Sequence, residues 1–406
     1  MQIGRHHLTY CTNIHAGESW EEVRRNLGVY LPDVRRRLGW SGALGVGLRL
    51  SAQAAEQLEQ PEVLAEFQQF LAREQLYVFT INGFPYGVFH RVRVKEEVYL
   101  PDWRDPLRLD YTNRLARLLA ALLPDDPRLE GSVSTVPGAF KSEVRSADDE
   151  RAMARQMLSH VAALVRLRES TGRTIVLAVE PEPCCYIETI DEAIAFYRDY
   201  LLNAELVREL ADELGVTPAA AESAVRRHFG LCYDACHMAI EFEEVASALK
   251  RLRAAGLKVA KFQISSALKL EFRSGDGRAA AALTPFAEST YLHQVVERSA
   301  KGLKRYTDLP EGLAVEAEAR GARAAGTRKE WRVHFHVPIF LEEMRDFSTT
   351  QDHLVELLSA LERSGEQAYL EVETYTWDVL PQEYKTVETA EAIARELSWV
   401  RQRIVG

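Results

Sequence analysis

Short β-rich apolar runs alternate with longer amphipathic stretches from one end of this chain to the other. That alternation limits the fold more than any single motif. The runs lie at 8–14, 44–50, 77–82, 131–136, 174–180, 229–234, 257–264 and 369–374. Stretches such as 62–74, 112–123, 150–170, 190–214 and 244–255 carry apolar residues at helical spacing between them. Strands separated by helices predict a parallel sheet, and eight of them predict a sheet closed on itself as a single (β/α)8 barrel, an α/β fold. At 406 residues the chain is long for an ordinary domain and normal for such a barrel with insertions. No composition shift divides it. The expectation is one barrel domain over 1–406, with insertions at about 83–106 and 269–330.

Both insertions belong at the C-terminal face, where barrel enzymes keep their sites and lids. The loop after the third run is rich in aromatic and basic residues: Phe84, Tyr86, Phe89, His90, Arg91, Arg93, Lys95 and Trp103. The connection after the seventh holds the Ala/Arg/Gly-rich stretch 314–328 and then the apolar run W-R-V-H-F-H-V-P-I-F. Each serves as lid or pocket wall, or else as spacer or oligomer contact.

A net charge of −10 argues against nucleic acid as the main partner, because phosphate backbones select basic faces. The five cysteines form no C-x-x-C pair, and an odd count is a poor disulfide framework; reduced thiols and a cytoplasmic location are expected. The chain shows neither a signal segment nor an 18-residue apolar run, so membrane insertion is not expected.

The candidate chemistry sits where runs end. In G-L-C-Y-D-A-C-H-M, Asp234 closes a strand and His237 follows three residues later. Residues three apart on a continuing strand face opposite ways, so the two share a site only if the chain turns at Asp234. In T-I-V-L-A-V-E-P-E-P, period 2 puts Glu180 and Glu182 on one side, above Val176 and Ala178. Glu371 and Glu373 share a face of the last run, as Val259, Lys261 and Gln263 do of the seventh. A carboxylate deep in a strand is costly unless paired, so Lys261 is expected to pair with Glu371, leaving Glu373 for the site. His334 and His336 share a face of V-H-F-H-V, as a satisfied core pair or as ligands. Asn13, His15 and Asn82 end the first and third runs, placed to touch a polar ligand. Three or four carboxylate and imidazole ligands in open geometry suit a divalent metal: Mn, Mg, Co or Zn. Such a site can polarise a hydroxy-carbonyl and let neighbouring carboxylates remove and return a proton.

These residues resemble the xylose-isomerase-like superfamily of TIM barrels, which holds sugar isomerases and epimerases and an abasic-site endonuclease branch. The L-A-V-E-P run resembles that family's fifth-strand metal glutamate, at Glu180. D-A-C-H-M is similar to the D-x-x-H-M of ketose 3-epimerases, which implies Asp234 on metal and His237 on metal or substrate. V-E-T-Y resembles the closing metal glutamate, at Glu373, and the resemblance makes Glu180 and Glu373 the pair that moves the proton. Glu188 resembles a further substrate-side glutamate. The seventh run departs from the pattern: Gln263 stands where the family has histidine. That leaves Gln263 binding through oxygen, or His336 or His334 completing the shell, or metal affinity lost.

Longer strings, L-T-Y-C-T-N-I-H-A-G-E-S-W, K-F-Q-I-S-S-A-L, H-F-H-V-P-I-F and L-E-V-E-T-Y-T-W, are similar to the barrel family of the bacterial ebo metabolite-traffic clusters. That resemblance implies processing or export of a small secondary metabolite, with possible protein partners in the traffic system. The leading expectation is a metal-dependent isomerase or epimerase of a small polyhydroxylated compound. Its rivals are a barrel that binds a metabolite or partner without turnover and, more distantly, an abasic-site endonuclease-like phosphodiesterase.

Overall fold

The computed structural model describes residues 1–90, 92–319 and 326–404; Arg91, and positions 320–325 of the 314–328 stretch, lie outside the described residues. The expected barrel is formed. Its strands are His6–Tyr10, Leu44–Arg49, Leu76–Asn82, Gly131–Thr135, Ile175–Val179, Phe229–Asp234, Val259–Ile264 and Tyr369–Val372. From the second strand on, each pairs in parallel with the next, and the last pairs with the first. A parallel bridge between Cys11 and Gly47 closes the ring between the first and second strands.

Closure there depends on a missing side chain. A Cβ on Gly47 would lie 2.6 Å from the Tyr10 carbonyl and collide with the Glu371 carboxylate. Glycine is the residue that lets two backbones and a buried side chain approach this closely. Glu371 points inward because its rung is set by Gln263 on one side and Thr9 on the other. Inside the barrel it is ion-paired to Lys261, as the period-2 reading expected, and both side chains are 0% exposed. At the opposite end, His7, Tyr77, Phe79 and Tyr369 pack ring against ring as an aromatic plug.

The runs end earlier than their hydrophobic patterns. The first strand stops at Tyr10 and the chain makes a single turn over Thr12–Ile14; the last stops at Val372. The expected helix over 190–214 is broken into Ile190–Phe196, a wide turn at Tyr197–Leu201, and Ala204–Leu214. The restart is capped by Asn203, whose side chain accepts from the Glu205 amide. Among the described residues no helix is long and apolar enough to cross a membrane.

The connection after the seventh barrel strand is a structure in its own right. It builds a six-stranded antiparallel sheet in the order Gly302–Tyr306, Val295–Ser299, Arg328–Val337, Ser266–Arg273, Phe347–Thr349, Glu343–Met344. Along Arg328–Val337, Trp331, Val333, Phe335 and Val337 are fully buried in the main core. The alternate positions His334 and His336 therefore share the other face, as period 2 requires. The ladder to Ser266–Arg273 is interrupted between Val333 and Val337, the stretch that holds both histidines. Lys95 ties the long loop after the third strand to this inserted sheet. Its ammonium donates to the carbonyls of Tyr291 (2.6 Å) and Glu288 (3.2 Å) and pairs with Asp308 at 2.7 Å. The two long connections thus meet above the mouth of the barrel.

Candidate functional site

Three carboxylates from three strand ends converge at that mouth. Asp234 is the last residue of the sixth strand, and the chain turns there into the short helix Ala235–Ile240. Its Oδ1 caps that helix, accepting from the His237 amide at 3.0 Å, and also takes the Ser265 hydroxyl at 2.7 Å. The turn is what sets Asp234 and His237 side by side. Glu180 follows the fifth strand, its amide still in the ladder to Thr135. Glu373 follows the eighth, its amide donating to Ile264 O at 3.1 Å. Glu180, Asp234 and Glu373 each bring an oxygen within 4.8 Å of the others.

The three are buried together, and the electrostatics follow from that. Burial pushes the Glu180 carboxyl well above its usual range, helped by the charges of Glu373 and Asp234. Glu373 is pushed up to about 8, first by burial and then by Asp234 and Glu371. Asn13 and Asn82 each donate to Glu373 Oε1, at 2.8 and 3.1 Å.

Three imidazoles complete the polar floor. His237 Nδ1–H donates to Pro181 O at 3.0 Å, His334 Nδ1–H to Gln294 Oε1 at 2.7 Å, and His336 Nδ1–H to Glu373 O at 3.0 Å. Each partner is an acceptor only, so the proton each ring gives it sits on Nδ1, and a ring holding just that proton has a bare Nε2. Asp234, His237 and His336 form one group of ligand atoms within 4.8 Å of each other, and Glu182, His237 and His334 another. Burial holds the His334 ring well below its usual range and lowers His336 to about 4. Glu182 accepts from Tyr99 OH at 2.5 Å and from Gln294 Nε2 at 3.2 Å; burial raises its carboxyl too.

The residues fit a divalent cation. Glu180 Oε2, Asp234 Oδ2 and His336 Nε2 are buried and have no hydrogen-bond partner in the structure. Buried acceptors left unpaired are expensive, and a cation would relieve that cost; Glu180 groups with Asp234 and Glu373, and His336 with Asp234 and His237, so Asp234 is common to both groups.

Some sequence candidates lie elsewhere. His15 stacks on Tyr30, with ring centroids 3.9 Å apart, and takes the Tyr10 hydroxyl. The turn at Thr12–Ile14 carries it away and presents Asn13 to the cavity instead. Glu188 does not line the cavity either. It is held by Lys141 at 2.6 Å, by Arg305 at 3.0 Å and by the Cys184 amide, because two cations and a free N–H lie outside the mouth. Gln263 lies on the rung between Asp234 and Glu371, but its Oε1 takes the Cys232 thiol and its Nε2 has no partner. Its oxygen is already engaged by the thiol, whereas His336, among the alternatives for that position, has a buried Nε2 with no partner.

The remaining wall could not be read locally. The cavity, about 50 Å³, is lined above the floor by Phe84, Phe89, Val98, Tyr291, Leu292 and Tyr375. The aromatic bias of the loop after the third strand signalled Phe84 and Phe89. Nothing in the local pattern marks Tyr291 or Gln294.

No protein-family model and no curated protein matches the chain. Among solved structures it is similar to the IolI protein with a bound zinc atom, at 13% identity over 98% of each chain and a TM-score of 0.45. It is also similar to a xylose isomerase-like TIM barrel protein from Mycobacterium smegmatis in complex with magnesium, at 13% identity over 98% of this chain and 96% of that one, TM-score 0.47. A third similar structure is the probable 3-DHS dehydratase AsbF of petrobactin synthesis from Bacillus anthracis, at 11% identity over 97% of both chains, TM-score 0.45.

Proposed function

We propose that this barrel is an isomerase or epimerase of a small polyhydroxylated compound, working with a divalent cation held by Glu180, Asp234 and Glu373 with His336. The observation that carries the reading is the convergence of three buried carboxylates from separate strands, two with oxygens that have no partner. A bound divalent cation polarises a hydroxy-carbonyl and so acidifies the neighbouring C–H.

The chain's own residues do the rest. Glu180 and Glu373 come from the fifth and eighth strands and approach a bound ligand from different sides of the ring. One accepts the proton as carboxylate and the other returns one as acid, which needs two environments of unequal acidity. Asn13 and Asn82 hold Glu373 by a single oxygen, leaving Oε2 outside those bonds. His237, fixed by Pro181 O, orients a ligand hydroxyl through Nε2. The long strings resemble those of the ebo-cluster family, and on that resemblance we further propose a cytoplasmic role in processing or export of a small metabolite.

Protein purified without chelator is to be assayed for metal, then incubated with candidate sugars and cyclitols in deuterated water. Metal bound near one per chain, with deuterium entering next to a hydroxyl and lost in Glu373→Gln, is expected. A site that rejects both added Mn and Zn sinks the proposal. A second reading, ligand binding without turnover, is favoured by one feature: a neutral amide, Gln263, already engaged by Cys232, beside Asp234. Metal binding with no exchange from any candidate ligand selects it.

A further inference from the structure

The cavity has two unlike halves. The floor is polar and comes from the barrel strand ends and His334. The roof is mostly ring and aliphatic carbon, with the phenol oxygens of Tyr291 and Tyr375 among it, and it comes from three separate connections. Phe89 belongs to the loop after the third strand, Tyr291 to the insertion after the seventh, and Tyr375 to the turn after the eighth. Their rings touch: centroids lie 4.8 Å apart for Phe89 and Tyr291, 5.4 Å for Phe89 and Tyr375, and 5.2 Å for Tyr291 and Tyr375. Val94, Val98 and Leu292 extend the same surface along the wall.

Charge is distributed just as unevenly. Among the described residues that line the cavity there is no lysine or arginine. Lys95, buried in the roof segment, directs its ammonium outward to Asp308 and to the carbonyls of Tyr291 and Glu288. A phosphorylated sugar would bring a dianion to a pocket that already holds three buried carboxylates and presents no cationic side chain to meet it. A hydroxyl set against Phe89, Val94, Val98 and Leu292 loses its water and gains no partner. An apolar group placed there leaves water for a matching surface.

We propose that the natural ligand is an uncharged polyhydroxylated head bearing an apolar substituent, aryl or branched alkyl, with the head on the carboxylate floor and the substituent under Phe89, Tyr291 and Tyr375. This rests on the reading of the floor as a polyol site and names the substrate class for it. Glu180, Glu373 and the histidines read hydroxyls at one end; the rings select the carbon at the other.

The test compares glucose and inositol with their phenyl and isopentyl ethers and their phosphate monoesters. Binding to the full-length, metal-loaded protein is measured by calorimetry and ligand-observed NMR. The ethers are expected to bind at least tenfold more tightly than their parents, and the phosphates more weakly. In Phe89→Ala the preference for the ethers falls below threefold. Val98→Thr, which keeps the side-chain shape and adds one hydroxyl to the apolar wall, weakens the ethers. Equal binding of parents and ethers, tightest binding by a phosphate, or no binding of any ether at millimolar concentration overturns the proposal. Metal content is measured on the same samples, so the two readings fail separately. A preference for ethers in protein that holds no metal removes the metal and keeps the apolar subsite; full metal occupancy without the preference does the reverse.

Discussion

His237 Nε2 and His334 Nε2 lie 3.1 Å apart, although each ring has already given its Nδ1 proton to another acceptor. Two bare nitrogens at that distance repel unless a proton or a cation sits between them. The arrangement is imposed from outside the barrel. Gln294 holds His334 in this tautomer, and the Gln294 amide is itself oriented by Pro183 O at 3.1 Å and Tyr99 OH at 2.9 Å.

Gln294→Leu removes the acceptor from His334 Nδ1. The His334 ring is expected to lose its single tautomer, seen as a change in its ¹⁵N chemical shifts, and any exchange activity to fall about tenfold, as when the partner that orients a functional histidine is removed. Unchanged ¹⁵N shifts in the variant would show that Gln294 does not set the tautomer.

The Lys261–Glu371 pair crosses the barrel interior with both side chains at 0% exposure. Lys261→Met leaves a carboxylate uncompensated in a dry interior and is expected to cost about 3–5 kcal/mol in urea unfolding. Adding Glu371→Gln recovers most of that loss. If the double variant is no more stable than the single, the pair is not the cause.

Glu180, Asp234 and Glu373 repel one another when no cation is bound, and burial raises the Glu180 and Glu373 carboxyls accordingly. Glu180→Gln is expected to stabilise the protein in chelator by about 1 kcal/mol while abolishing metal-induced stabilisation, a trade of function against stability. Thermal melts with and without added Mn measure both effects. A variant that melts lower than the parent in chelator contradicts the account.

His228 donates from Nδ1 to Ile175 O at 2.7 Å, and burial lowers its pKa to about 4. Its folded-state value lies below the ordinary value of about 6.5. Between the two values the unfolded chain binds more protons than the folded one. The contribution is thus fully present above pH 6.5 and is lost as pH falls toward 4. Stability measured in urea is expected to drop over that window, and His228→Gln to flatten it by up to about 1.4 kcal/mol per pH unit. Parallel curves for parent and variant would assign the acid sensitivity to other groups.

The barrel and the strand-end carboxylates were legible because both rest on short-range geometry. Period 2 put Glu180 above Ala178 and Glu373 above Glu371, and the structure keeps those relations. It also set Lys261 on the face that meets Glu371. His334 and His336 were paired on one face by the same rule. His15 and Glu188 were misplaced for a shared reason: a residue beyond a strand end takes its direction from a turn, and turns are set by contacts the local sequence does not show. At His15 that contact is Tyr30, and at Glu188 it is Arg305, more than a hundred positions away.

Hydrophobic periodicity, by itself, determined the closed α/β barrel and which carboxylates reach its mouth, since both depend on alternation within single strands. Tertiary structure alone decided that the long connection becomes a sheet returning His334 to His237, that Gln294 sets a histidine tautomer, and that three rings from distant segments roof the cavity. Those relations join residues whose separation in sequence carries no period, and only the packing of one segment on another brings them within reach.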